Sequence, residues 1–102
     1  MKKTTQNASG TSYHGNTITC TPDTLIGLLG APSYDDNQGY DKVNLSWTCE
    51  TSNGELFTIY DWKTYSPVRM NQMVHWHIGA KESSIATNAT EELNSTLDNK
   101  HN

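Results

Sequence analysis

What this chain has little of narrows the choices first. Hydrophobic residues fill only 33% of its 102 positions, with a single Phe, so a compact core must lean on three Trp and five Tyr. No apolar run reaches the roughly 20 residues of a membrane-spanning helix, so no membrane partner is expected. Cys20 and Cys49 are too few for a disulfide scaffold and are expected to be reduced and buried. Basic residues are scarce and scattered: seven Lys and Arg against eleven Asp and Glu give a net charge of -4, and Arg69 is the sole arginine. Direct nucleic-acid binding needs a concentrated Lys/Arg footprint, which is missing. A basic small ligand or a basic protein surface remains compatible with the charge. The opening MKKTTQNASG has the charged start of an export signal without the apolar segment that should follow it, so export is not expected.

What is present is Thr, Ser and Asn, which favour strands and turns over long helices. The length predicts one domain around a single core of two packed layers. A flexible tail is expected over residues 1–11, the domain over 12–97 and a frayed end over 98–102. In YHGNTITCT, Ile18 and Cys20 alternate with Thr17, Thr19 and Thr21, a strand with one apolar face. Thr21-Pro22-Asp23 then starts a short helix: Thr21 can cap, Pro22 suits the first position and Asp23 the positive end of the dipole. Leu25, Ile26, Leu28 and Leu29 give its buried side; Gly30 and Pro32 end it. Residues 31–41 and 64–72 read as loops, long enough to suggest binding elements. Ile85, Ala89, Leu93 and Leu97 recur every four residues and predict a closing helix held by packing.

The clearest pattern is KVNLSWTCETSNGELFTIYDW, two alternating runs around Asn53-Gly54. As a two-residue turn, that dipeptide sets Ser52 opposite Glu55, Cys49 opposite Thr58, Trp47 opposite Tyr60 and Leu45 opposite Trp62. The core face is then Val43, Leu45, Trp47 and Cys49 with Leu56, Tyr60 and Trp62. The other face carries Asn44, Ser46, Thr48 and Glu50 with Phe57, Ile59, Asp61 and Lys63. MVHWHI predicts a third strand, with Val74, Trp76 and Ile78 inward and both His75 and His77 outward. The expected fold is therefore α+β, a small antiparallel sheet with two helices on one face, in the order β-α-β-β-β-α.

Candidate chemistry gathers on the expected outer face. Asp61, Lys63, His75 and His77, with Asn44, Ser46 and Thr48 beside them, offer donors and an acceptor for an anion, a phosphate or a sugar. Tyr34, Tyr40, Tyr60 and Tyr65 could stack on a planar base, and Arg69 could close over a phosphate from its loop. The plain alternative is a solvated sheet face, where polar residues belong. His75 and His77 with Asp61 reach the ligand count of a catalytic zinc site, but Lys63 beside them disfavours a dication, so no metal and no cofactor are expected. Ser46 opposite Asp61 near a histidine could mimic a catalytic triad, yet no nucleophile elbow accompanies it. Acid–base work by His75 or His77 on a phosphodiester is the remaining catalytic reading.

The order LIGLLGAPSYDD, DKVNLSW, NGELFTIYDWK, HWHIGA resembles a family of small proteins carried by bacteriophages. The distinctive parts are Tyr60-Asp61-Trp62-Lys63 and Trp76-His77-Ile78-Gly79, and Ala80 departs from the second glycine of the family pattern. The resemblance implies a viral protein at work in the cytoplasm of an infected bacterium. By analogy with small phage proteins of this size, three roles are expected in order. The first is sequestration of a nucleotide-derived immune signal. The second is inhibition of a host defence protein, in the manner of anti-CRISPR proteins, through Tyr34-Asp35-Asp36. The third is a small phosphodiesterase that degrades such a signal. Free strand edges and the weak last helix predict a homo-oligomer.

Overall fold

The computed structural model of the protein describes residues 1–100; His101 and Asn102, part of the expected frayed end, lie outside the described residues. The chain forms β1 (Lys2–Lys3), β2 (Ser12–Cys20), α1 (Pro22–Leu29), β3 (Tyr34–Asp35), β4 (Leu45–Glu50), β5 (Leu56–Tyr60), β6 (Val74–Ala80) and α2 (Ser83–Lys100). The fold is α+β, with an antiparallel sheet in the order β1-β4-β5-β6-β2 and β3 also paired with β4. The expected order corresponds to β2, α1, β4, β5, β6 and α2. The two-residue strands β1 and β3 are additions, and both occupy the free edge of β4. The opposite edge, β2, is interrupted by a bulge between Tyr13 and Thr17, where Gly15 sits at φ 95°.

Local chemistry accounts for the helices. Thr21 Oγ1 accepts the Thr24 N–H at 3.2 Å, and the Gly30 N–H closes the last turn on the Ile26 carbonyl at 2.8 Å. Helix α2 packs Ala86, Ala89, Leu93 and Leu97 into the core, facing β2, β5 and β6. Among the described residues no helix is long and apolar enough to cross a membrane. At the centre, Trp47 and Trp76 meet edge to face at 5.4 Å. Such a pair is worth about 0.5–1.5 kcal/mol beyond its area burial. Neither indole is left unpaired: Trp47 Nε1 donates to the Gly30 carbonyl and Trp76 Nε1 to the Cys20 carbonyl. Cys20 and Cys49 are free and buried; burial pushes their thiols up to about 11 and about 12, which removes them as nucleophiles near neutral pH.

The hairpin register differs from the expected one by a single residue. Trp47 pairs with Ile59, Cys49 with Phe57 and Ser46 with Tyr60. The loop holds three residues rather than two. Thr51 N–H donates to the Glu55 carbonyl at 2.8 Å, and Gly54 N–H donates to the Thr51 carbonyl at 2.9 Å. Gly54 is left-handed at φ 81° while Asn53 is not, which excludes the type I′ turn and fits a type I turn closed by a left-handed glycine. The buried Thr51 hydroxyl favours this loop by accepting the N–H groups of Asn53 and Glu55. One extra loop residue moves every β5 side chain to the other face. Phe57 and Ile59 are therefore core, with Leu45, Trp47 and Cys49. Tyr60 and Trp62, expected inside, face outward, and Trp62 is 42% exposed. Val43 and Leu56, also expected in the core, are only half-buried.

The same slip carries Asp61 inward. It is fully buried, and its carboxylate accepts four hydrogen bonds. Oδ1 takes the backbone N–H of Asn44 and of Leu45; Oδ2 takes Asn44 Nδ2 and Thr64 Oγ1, all at 2.8–3.0 Å. Asn44 is also fully buried and extends the network, donating to the Ser66 carbonyl and accepting from Gly39 N–H. Asn37 clasps Val68 by both backbone groups at 2.7 Å, and Lys63 N–H donates to the Lys42 carbonyl at 2.7 Å. Gly39, at φ 82°, lies so close to the second loop that a Cβ would stand 2.7 Å from Ser66 Cα. The two expected loops are thus one hydrogen-bonded unit. Asp61→Ala would strand four donors, two of them backbone groups in the interior, and should destabilise the fold by about 3 kcal/mol or more in urea titration. A loss below about 1 kcal/mol would show that the loops are held by packing instead.

Candidate functional site

The slip builds a site that the expected register did not contain. Across the outer face one row of paired positions runs Tyr34, Ser46, Tyr60, His77 and Thr17. The next row runs Thr48, Thr58, Gly79 and Tyr13. Gly79 has no side chain, and a Cβ there would meet Thr58 Oγ1 at 2.5 Å and Tyr60 Cε1 at 3.3 Å. Its absence leaves a hollow in the face. A groove of about 470 Å³ lies over it, floored by Ser46, Thr48, Thr58 and Gly79 and walled by Tyr34, Val43, Tyr60 and Trp62.

The N-terminal residues cover part of this groove. β1 pairs at one edge of the sheet and β2 at the other, so residues 4–11 must cross between them. Ala8, Thr11 and Ser12 line the groove, which places the crossing on the outer face. The expected flexible tail is therefore a strap. It is pinned at its start, where Thr4 N–H donates to the Thr48 carbonyl and Lys3 Nζ to the Ala31 carbonyl, and it turns on itself where Thr11 N–H meets the Ala8 carbonyl.

Two features border the groove. At the Trp62 end, Lys42 Nζ and Lys63 Nζ lie 5.8 and 5.7 Å from the indole centroid. Lys63 and Tyr65 hold left-handed backbone at φ 53° and 52°, a conformation rarely taken by residues other than glycine. His77 stacks on Tyr13 with centroids 4.1 Å apart, meets Tyr60 edge-on and lies 6.4 Å from the Trp62 ring. Burial among these rings disfavours its charged form and lowers its pKa from the ordinary value. Burial also raises the Tyr60 phenol, with a smaller contribution from Tyr13.

Of the residues singled out from the sequence, the groove takes Tyr34, Ser46, Thr48 and Tyr60, with Lys63 beside its Trp62 wall. Asp61 and Asn44 are corrected from surface ligands to a buried structural pair. His75 is exposed outside the groove, its Nδ1 within 2.8 Å of Thr19 Oγ1. His77 is half-buried and held by Tyr13. Tyr40, Tyr65 and Arg69 are exposed on the loops and do not line the groove. The triad-like and zinc-like sets both dissolve with the inward turn of Asp61. Among the described residues, no group of three His, Cys, Asp or Glu is placed to hold a metal. The residues missed were Trp62, Thr58, Gly79, Tyr13 and Lys42. A strand glycine beside a bulky pair was the one available signal, since such a glycine marks a close approach.

Comparison with protein-family models, with curated proteins and with solved structures finds no match for the chain.

Two outcomes follow from this geometry. Gly79→Ala forces its Cβ onto Thr58 and should cost about 1–3 kcal/mol in thermal unfolding. Adding Thr58→Ala should recover part of that loss, and strict additivity of the two substitutions would exclude the contact. His77 has a lowered folded pKa, so the unfolded chain takes up its proton first as pH falls through about 6.5. Its contribution is intact above that value and is lost as pH drops through the folded pKa. Between about pH 8 and about pH 5 the wild type should lose more Tm than His77→Gln; equal losses would contradict the assignment.

Proposed function

We propose that the protein is a binding module that captures a nucleotide-derived small molecule in the outer-face groove and holds it without turnover. The observation that carries this reading is the groove itself: Tyr34, Tyr60 and Trp62 standing over a floor of Ser and Thr hydroxyls. Aromatic faces take planar bases with little regard to sequence, and hydroxyls act as either donor or acceptor to a sugar. A volume of about 470 Å³ suits one small molecule and not a polymer. Binding is favoured over hydrolysis because the polar groups that acid–base chemistry would need are engaged elsewhere. Asp61 is a buried bracket, His75 bonds Thr19, and His77 is packed on Tyr13.

The resemblance to phage proteins supplies the setting in which such capture would matter, sequestration of a nucleotide immune signal inside an infected bacterium. The test is incubation with a panel of cyclic and ADP-ribose-derived nucleotides, removal of unbound material, and release by heat. Intact nucleotide should be recovered from the wild type. Base stacking is worth about 1–3 kcal/mol, so Trp62→Ala should weaken binding by about tenfold or more while leaving the Tm nearly unchanged. Recovery of cleaved nucleotide would replace capture by turnover, and binding of none would end the nucleotide reading.

A further inference from the structure

We propose that Lys42 and Lys63 form an anion subsite at the Trp62 end of the groove, which takes the phosphate of a nucleotide whose base and sugar lie in the groove. The inference rests on the capture reading above and goes beyond it by fixing the ligand's charge and the place where that charge sits. Two observations carry it.

The first is convergence. The two lysines lie far apart in sequence, yet Lys63 N–H donates to the Lys42 carbonyl at 2.7 Å, and both ammonium groups stand within 5.8 Å of one indole centroid. The left-handed backbone of Lys63, φ 53°, helps set that geometry. Strain of this kind persists only where surrounding contacts over-determine it, and here the Asp61 network supplies them through Thr64 Oγ1.

The second is the absence of a protein counter-charge. Among the described residues, neither lysine forms an ion pair with a carboxylate, whereas the exposed Lys2 pairs with Glu50. Both ammonium groups are thereby left to attract an anion from outside the chain. The chain carries eleven acidic residues, so leaving this pair unmatched is not forced by composition.

The experiment is calorimetric titration with adenosine, guanosine, their 5′-monophosphates and inorganic phosphate, alongside the Trp62 indole N–H signal by NMR. That signal is separable because the Trp47 and Trp76 indoles are buried and bonded to carbonyls. At low salt, a monophosphate should bind about tenfold or more tightly than its nucleoside, and the gap should shrink at about 0.3 M salt as the exposed charges are screened. Lys42→Ala, or Lys63→Asn, which tolerates left-handed backbone, should close the gap without changing nucleoside affinity. Equal affinity of nucleoside and monophosphate overturns the subsite and leaves the groove reading standing. Inorganic phosphate binding as tightly as the nucleotides overturns the coupling of subsite to groove. If none of the five moves the Trp62 signal, the groove reading fails together with the subsite.

Discussion

The structure depends on where one carboxylate sits. Asp61 follows β5 on the inner side and accepts from four donors that would otherwise be stranded in the interior, among them the backbone N–H groups of Asn44 and Leu45. A buried carboxyl group is tolerable only when so fully partnered. With it in place, two segments without regular structure become a rigid corner, because Asn44 continues the bonding to Ser66 and Gly39. That corner holds Trp62 and Lys63 in position immediately after the strand. The residue expected to act on a ligand instead acts on the backbone, and the surface beside it is the one left free to bind.

The outer face follows from the same constraint. Because Asp61 is inside, Tyr60 and Trp62 are outside, and the sheet presents rings where charged side chains were expected. Gly79 then matters for what it lacks, and the strap over residues 4–11 encloses what the glycine opens. Edge strands are a hazard in any open sheet. Here β1 and β3 cover one edge and a bulge breaks the other, so the devices that close the groove also shield the ladder.

A site of aromatic walls, hydroxyl floor and lysine rim has more in common with recognition than with catalysis. Its thiols are buried, packing disfavours the charged form of its one central histidine, and its buried acid is committed to structure.

Much of this was legible in the residues. Thr21-Pro22 and Gly30 mark α1 because capping is local chemistry. The alternation of Ile18 with Cys20, and of Val74, Trp76 and Ile78, identifies inward faces because only one parity there is apolar. In LFTIYDW both parities are apolar, so periodicity could not choose, and the choice passed to the turn. Asn53-Gly54 suits two loop lengths, and the hydroxyl of Thr51 decided between them through bonds that exist only once the hairpin is folded. The sequence by itself determined the two helices, the four longer strands and the fold class. Only the tertiary structure decided which face of β5 is inside, because a one-residue difference in a loop costs little locally yet exchanges every side chain on the strand.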